Sequence, residues 1–162
     1  MAYNVLEVCR HIINYSNEKG YEISNLKLQK LLYFVQGCFL IEKDTPCFNE
    51  AIEAWDFGPV VPEAYREYKV YGATNIPPIS RYFVFDKDNW LNSGYVPYKD
   101  DVIIEDDKKI IDGIVNSLSK LSAFDLVECT HNQDPWKKAY VPGCNNEITI
   151  DAIKECFKQY EK

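Results

Sequence analysis

The sequence predicts a mainly α-helical fold: a single compact helical domain over residues 1–162 with a small antiparallel β element. Three observations lead there. Apolar residues recur at i, i+3 and i+4 in several segments, each opened by a capping residue. One short stretch, Glu50 to Asp56, alternates instead. A chain of 162 residues with 46% hydrophobic residues has enough apolar surface for one core, and its 14% aromatics are too many for a disordered chain.

Asn4 opens the first helix, which is expected to run to Glu18, with Glu7 at the capping-box position and Gly20 just beyond the end. Val5, Val8, Cys9, Ile12 and Ser16 trace its inner face. Ser24 opens the second helix, whose stripe is Leu28, Leu31, Leu32, Val35 and Phe39; Lys27, Lys30 and Glu42 fall off it. The alternating stretch is a short strand, with Ile52 and Ala54 facing one way and Glu53 and Trp55 the other. Gly58-Pro59 is expected to turn the chain. Pro62 then opens a third helix, where its missing amide costs nothing, and Gly72 closes it after Tyr65, Tyr68 and Tyr71.

Residues 73–104 form an aromatic-rich connection of different character. Pro77-Pro78, Gly94 and Pro97 break any helical period, yet Tyr82, Phe83, Phe85, Trp90, Tyr95 and Tyr98 crowd into the same segment. Tyr82 to Phe85 has the composition of a strand. A connection this long in a compact domain is often functional. Regular helix is expected again after Asp106 or Asp107, with Ile110, Ile111, Ile114, Val115, Leu118 and Leu121 inward. Ser122 with Asp125 forms the next capping box, Asp134-Pro135 opens a short helix carrying Trp136 and Ala139, and Thr149 caps a last helix built on Ala152, Ile153, Cys156, Phe157 and Tyr160.

The chain carries 18 Lys and Arg against 25 Asp and Glu, a net charge of -7. That balance argues against an open electrostatic grip on nucleic acid and suits a basic partner protein better. No run approaches the ~20 apolar residues of a membrane span, and Met1 is not followed by a signal core, so a cytoplasmic protein is expected. Six cysteines are dispersed without a CxxC pair, which points to reduced thiols and away from zinc. The run from Asp100 to Asp107 lacks the glycine and terminal Glu of a calcium loop.

Chemistry for catalysis is thin. His11 lies beside an apolar helix face. His131 and Asp134, at a junction between two helices, are expected to satisfy free backbone groups there. Cys129 and His131 are two apart, which on a helix points them in different directions. No phosphate-binding loop and no nucleophile elbow is present. No enzyme, cofactor or metal is therefore expected; the enzyme alternative is a small hydrolase or transferase with a pocket at Trp55, His131 and Trp136. The aromatics of residues 76–98 stand out, since rigid aromatics on a loop either fold back on their own domain or serve as interface hot spots. Tyr82, Phe85, Trp90 and Tyr95 are the candidate partner contacts.

Two blocks carry a resemblance. Leu26-Lys27-Leu28-Gln29-Lys30-Leu31-Leu32-Tyr33-Phe34-Val35-Gln36-Gly37 and Glu53-Ala54-Trp55-Asp56-Phe57-Gly58-Pro59-Val60-Val61-Pro62-Glu63-Ala64-Tyr65 resemble, in order and spacing, two signature blocks of the Panacea domain, the phage-associated GepA-like or SocA-like family. Leu121-Ser122-Ala123, Thr130-His131 and Pro135-Trp136 resemble its closing motif. Phe34-Val35 stands where Tyr-Ala is usual, and residues 73–104 match no family pattern. The resemblance implies a helical domain, found in phages, prophages and bacterial chromosomes, that acts as an antitoxin by binding a cognate toxin. In one branch it also acts as an adaptor handing the toxin to a protease chaperone. An alternative is a phage-encoded regulator of another host protein. The family lends no catalytic residues. Its motif positions here, Gln29, Lys30, Tyr33, Gln36, Trp55, Gly58, Pro59, His131 and Trp136, are expected to hold the scaffold.

Overall fold

A computed structural model describes residues 2–160. Among the described residues, seven α-helices and two small antiparallel sheets follow one another in the order α1 (Val5–Glu18), α2 (Asn25–Glu42), β1 (Ile52–Trp55), β2 (Gly58–Val60), α3 (Pro62–Tyr68), β3 (Arg81–Val84), β4 (Gly94–Pro97), α4 (Glu105–Leu118), α5 (Ala123–His131), α6 (Asp134–Ala139), β5 (Glu147–Ile148) and α7 (Ile150–Lys158). The mainly helical fold with a minor antiparallel element is as the sequence predicts.

Helix α2 is the axis. It packs against α1, α3, α4, α5, α7 and β2, so it has almost no solvent face. Lys27 and Lys30, off the apolar stripe, are buried all the same, because a helix surrounded on every side must bury its polar positions too. Gly37 has a packing reason. A Cβ there would run into the Phe157 ring, so only glycine lets α7 lie this close to α2. Phe157 then meets Tyr33 and Phe34 edge to face.

Local signals explain the helix ends. The Asn4 side chain caps α1 by accepting from Leu6 N at 2.8 Å, while Glu7 pairs with Arg10 (2.5 Å) instead of closing a capping box. Ser122 and Asp125 do form a full capping box on α5, and Thr149 caps α7. Helix α4 begins at Glu105, slightly ahead of expectation, and joins α1 through His11, whose Nε2 lies 2.7 Å from Asp112.

The main sheet has the order β2-β1-β5, all antiparallel, with Glu53 opposite Val60 on one side and Glu147 on the other. The turn between β1 and β2 is Asp56-Phe57, two residues earlier than expected, since Trp55 pairs directly with Gly58. Gly58, at φ 102, accepts the positive dihedral where the turn enters β2, and Pro59 sits on the edge strand, where a missing amide is tolerated. Residues 73–104 are not irregular throughout: β3 and β4 pair as a separate hairpin, Phe83 opposite Tyr95 and Val84 opposite Gly94.

Candidate partner-binding site

Four motif side chains of α2 share one face: Gln29, Lys30, Tyr33 and Gln36 lie at i, i+1, i+4 and i+7. Each contacts other parts of the chain. Gln29 Oε1 accepts from Val61 N at 3.0 Å, and its Nε2 donates to Asn25 Oδ1 at 2.9 Å. Lys30 Nζ donates to the Pro59 carbonyl at 2.9 Å. Tyr33 donates to Gln133 Oε1 at 2.6 Å. Gln36 donates to the Phe48 carbonyl (2.9 Å) and accepts from Cys47 N (2.7 Å). These are the bonds a buried loop and a sheet edge need, because an unmet backbone group in a dry interior costs about 1–3 kcal/mol. Burial pulls the Lys30 ammonium down to about 7.

A second set holds the β1–β2 turn from outside. Trp136 Nε1 donates to the Trp55 carbonyl at 2.8 Å, and the His131 ring meets the Asp56 carbonyl at 3.0 Å. His131 therefore ties down a distant turn and not, as expected, the end of its own helix. Asp134 pairs with Lys137 and Lys138 on the surface instead of bridging the junction. His131, Trp136 and Tyr140 stack in a row, and Tyr140 donates to the Asp56 carboxylate. A cavity beside this turn is lined by Trp55 but by neither His131 nor Trp136, so it does not join the three residues of the enzyme alternative. Cys129 is exposed and α5 continues past it to His131, which keeps the two apart. Among the described residues no cluster of His, Cys, Asp and Glu is arranged to hold a metal ion, and no helix is long and apolar enough to cross a membrane.

The hairpin has the opposite character. Its base is anchored: Ile76 is fully buried, Ile76 N donates to the Ile23 carbonyl at 2.8 Å, and Asn14 binds both the amide and the carbonyl of Ile79. Beyond that base, Phe83, Phe85, Trp90, Leu91 and Tyr95 are 55–72% exposed. The Phe83 and Tyr95 rings meet edge to face at 5.6 Å, and Arg81 covers Tyr95. The tip is ordered by its own polar groups, with Asp86 Oδ1 accepting from the amides of Asp88 and Asn89. Of the four expected contacts, Phe85, Trp90 and Tyr95 lie on this exposed surface. Tyr82 does not: it is half-buried, with the Arg10 guanidinium 3.6 Å from its ring centre, because alternation along β3 points it at α1. Phe83 and Leu91 also belong to the exposed set, although neither is among the four expected contacts.

The two hairpin edges differ. Tyr98 N bonds the Ser80 carbonyl at 2.9 Å, so by antiparallel alternation Tyr82 with Val96 and Val84 with Gly94 bond inward. Arg81 and Phe83 then aim their amides and carbonyls outward from β3. The corresponding outward positions on β4 are Tyr95 and Pro97, and Pro97 has no amide to offer.

The chain is thus a helical domain whose buried polar side chains brace its own backbone and which carries an exposed aromatic arm. The chain matches the family described as Antitoxin SocA-like, Panacea domain, over residues 28–137, and it belongs to that family. It is 39% identical to Antitoxin SocA of Caulobacter vibrioides (strain NA1000 / CB15N) over 138 residues, which cover 84% of this chain and 70% of the relative. No solved structure matches it.

Proposed function

We propose that this protein is an antitoxin that neutralises a toxin by direct protein–protein binding, with the β3–β4 hairpin as the arm that meets it. Family membership supports the antitoxin role in general. The observation that carries the direct-binding reading is the exposed surface of Phe83, Phe85, Trp90, Leu91 and Tyr95 on a hairpin whose base is pinned by part-buried hydrogen bonds. Aromatic groups held rigidly in water lose little conformational entropy on binding and bury large areas. The open β3 edge beside them adds backbone donors and acceptors that an extended segment of the partner can pair with. With a net charge of -7, the chain also favours a basic partner. The protein acts by occlusion, as a non-enzymatic binder.

The test is co-expression with the neighbouring gene. That gene alone should arrest growth; this protein should restore growth and co-purify with its product. Replacing residues 76–98 by the corresponding segment of a relative should abolish rescue while the exchanged protein stays folded. Rescue that survives the exchange refutes the arm, and a harmless neighbour that forms no complex refutes the antitoxin reading.

A further inference from the structure

The hairpin leaves one feature unaccounted for: a cavity of about 470 Å³ that shares no lining residue with it. Its walls come from both signature blocks, with Leu26 from α2, Trp55 and Asp56 from the β1–β2 hairpin, and Tyr65 from α3. Tyr140 and Lys69 complete them. The size lies within the range of small-molecule sites, which are mostly apolar and aromatic with a few polar groups.

The polar groups divide into two kinds. The buried amides of Asn25 and Gln29 bond each other, Val61 N and the Tyr65 carbonyl, so they are part of the wall. Asp56 and Lys69 are not. Tyr140 donates to Asp56 Oδ1, whereas Oδ2 has no partner among the described residues. Lys69, an exposed residue that caps the C-terminal end of α3 one turn beyond Tyr65, has no hydrogen bond or ion pair among the described residues. The cavity thus has an aromatic lining, where Trp55 and Tyr65 meet edge to face at 5.0 Å, with one carboxylate and one ammonium on different walls. A phosphorylated ligand would need several cations, and only Lys69 is present among the lining residues.

We infer that this cavity binds a small ring-bearing zwitterion of the aromatic α-amino acid class. The ring lies against Trp55 and Tyr65, the ligand's ammonium meets Asp56, and its carboxylate meets Lys69. The two charge-assisted bonds, both made at the ligand's α-carbon, fix the orientation that a ring stacked on indole alone would leave open.

The chain has three tryptophans, so fluorine NMR of the full-length protein labelled with 5-fluorotryptophan reads each one separately. The probes are L-phenylalanine and L-tyrosine, with phenethylamine and hydrocinnamate as half-ligands lacking the carboxylate or the amine. L-Phenylalanine should move the Trp55 resonance and leave Trp90 still, and each half-ligand should bind roughly tenfold more weakly, about one charge-assisted bond. Asp56→Asn, which keeps an acceptor for Tyr140, should weaken L-phenylalanine and phenethylamine but not hydrocinnamate. Lys69→Met should weaken L-phenylalanine and hydrocinnamate but not phenethylamine. A Trp55 resonance unmoved by any probe overturns the inference, as does binding indifferent to both substitutions. Toxin rescue is scored separately, so failure here leaves the proposed function standing.

Discussion

On the sheet-facing side of α2, Gln29, Lys30, Tyr33 and Gln36 are hydrophilic side chains with almost no contact with water. On the β3–β4 hairpin, Phe83, Phe85, Trp90, Leu91 and Tyr95 are apolar side chains left more than half exposed. Each region inverts the usual preference, and the inversions have different physics. The helix buries polar groups because each meets a backbone or side-chain partner that would otherwise be unmet. The hairpin exposes apolar groups with no such internal gain, which leaves their burial available to a second protein. The division predicts that substitutions in the braced region change stability and that those on the arm change partner choice.

Gly58→Ala puts the division under the greatest stress. The position combines φ 102 with a neighbourhood in which a Cβ would lie 2.7 Å from Lys30 Cε and 2.8 Å from Thr130 Oγ1. Strain and overpacking together should cost about 3 kcal/mol or more, read as a lower urea midpoint with unchanged slope. A variant as stable as the parent would show that Lys30 and Thr130 can move aside for a side chain at this position.

Lys30→Met tests the same region through pH. Burial sets the native Lys30 near 7 against an ordinary 10.5, so the unfolded chain holds more protons above about pH 7. This residue therefore makes the parent more stable as pH rises from 7. The buried thiols of Cys9 and Cys47, pushed up from 9.0, act the other way above pH 9, because there the native state keeps protons the unfolded chain has lost. Between pH 7 and 9 the Lys30 contribution should amount to about 2 kcal/mol. Urea unfolding at both ends of that window should show a rise in the parent that the Lys30→Met variant lacks. Equal slopes would mean that the ammonium reaches solvent.

How much of this was legible in the sequence depends on how far apart the interacting residues lie. Helix stripes and caps are local, so α1, α2, α5 and α7 could be placed from spacing alone, as could β1. Lys30 could not be recognised as buried, because that follows from helices distant in sequence closing around α2. Tyr82 to Phe85 reads as a strand, but its partner β4 was concealed by Gly94 and Pro97, which read as breakers although one ends opposite Val84 and the other sits on an outer edge. The partner of His131, Asp56, lies 75 residues away. The cavity draws on segments scattered from Asn25 to Asn145, and no short-range pattern brings those together.

Tyr82 gives the smallest effect and the finest test, since it sits on the arm yet points into the domain. Arg10, 6% exposed, lies over its ring and pairs with Glu7, so Tyr82→Ala removes a cation–π contact and opens space beneath the hairpin. The expected cost is about 1 kcal/mol of stability. Tyr82→Phe should cost less, because it keeps the ring. Trp90→Ala, at a 69% exposed position, should stay within about 0.5 kcal/mol of the parent while weakening the toxin complex roughly tenfold or more. The two substitutions lie on one hairpin, eight residues apart in sequence. If Trp90→Ala lowered stability as much as Tyr82→Ala and left binding intact, the arm would be part of the domain's own packing, and the contrast with α2 would disappear.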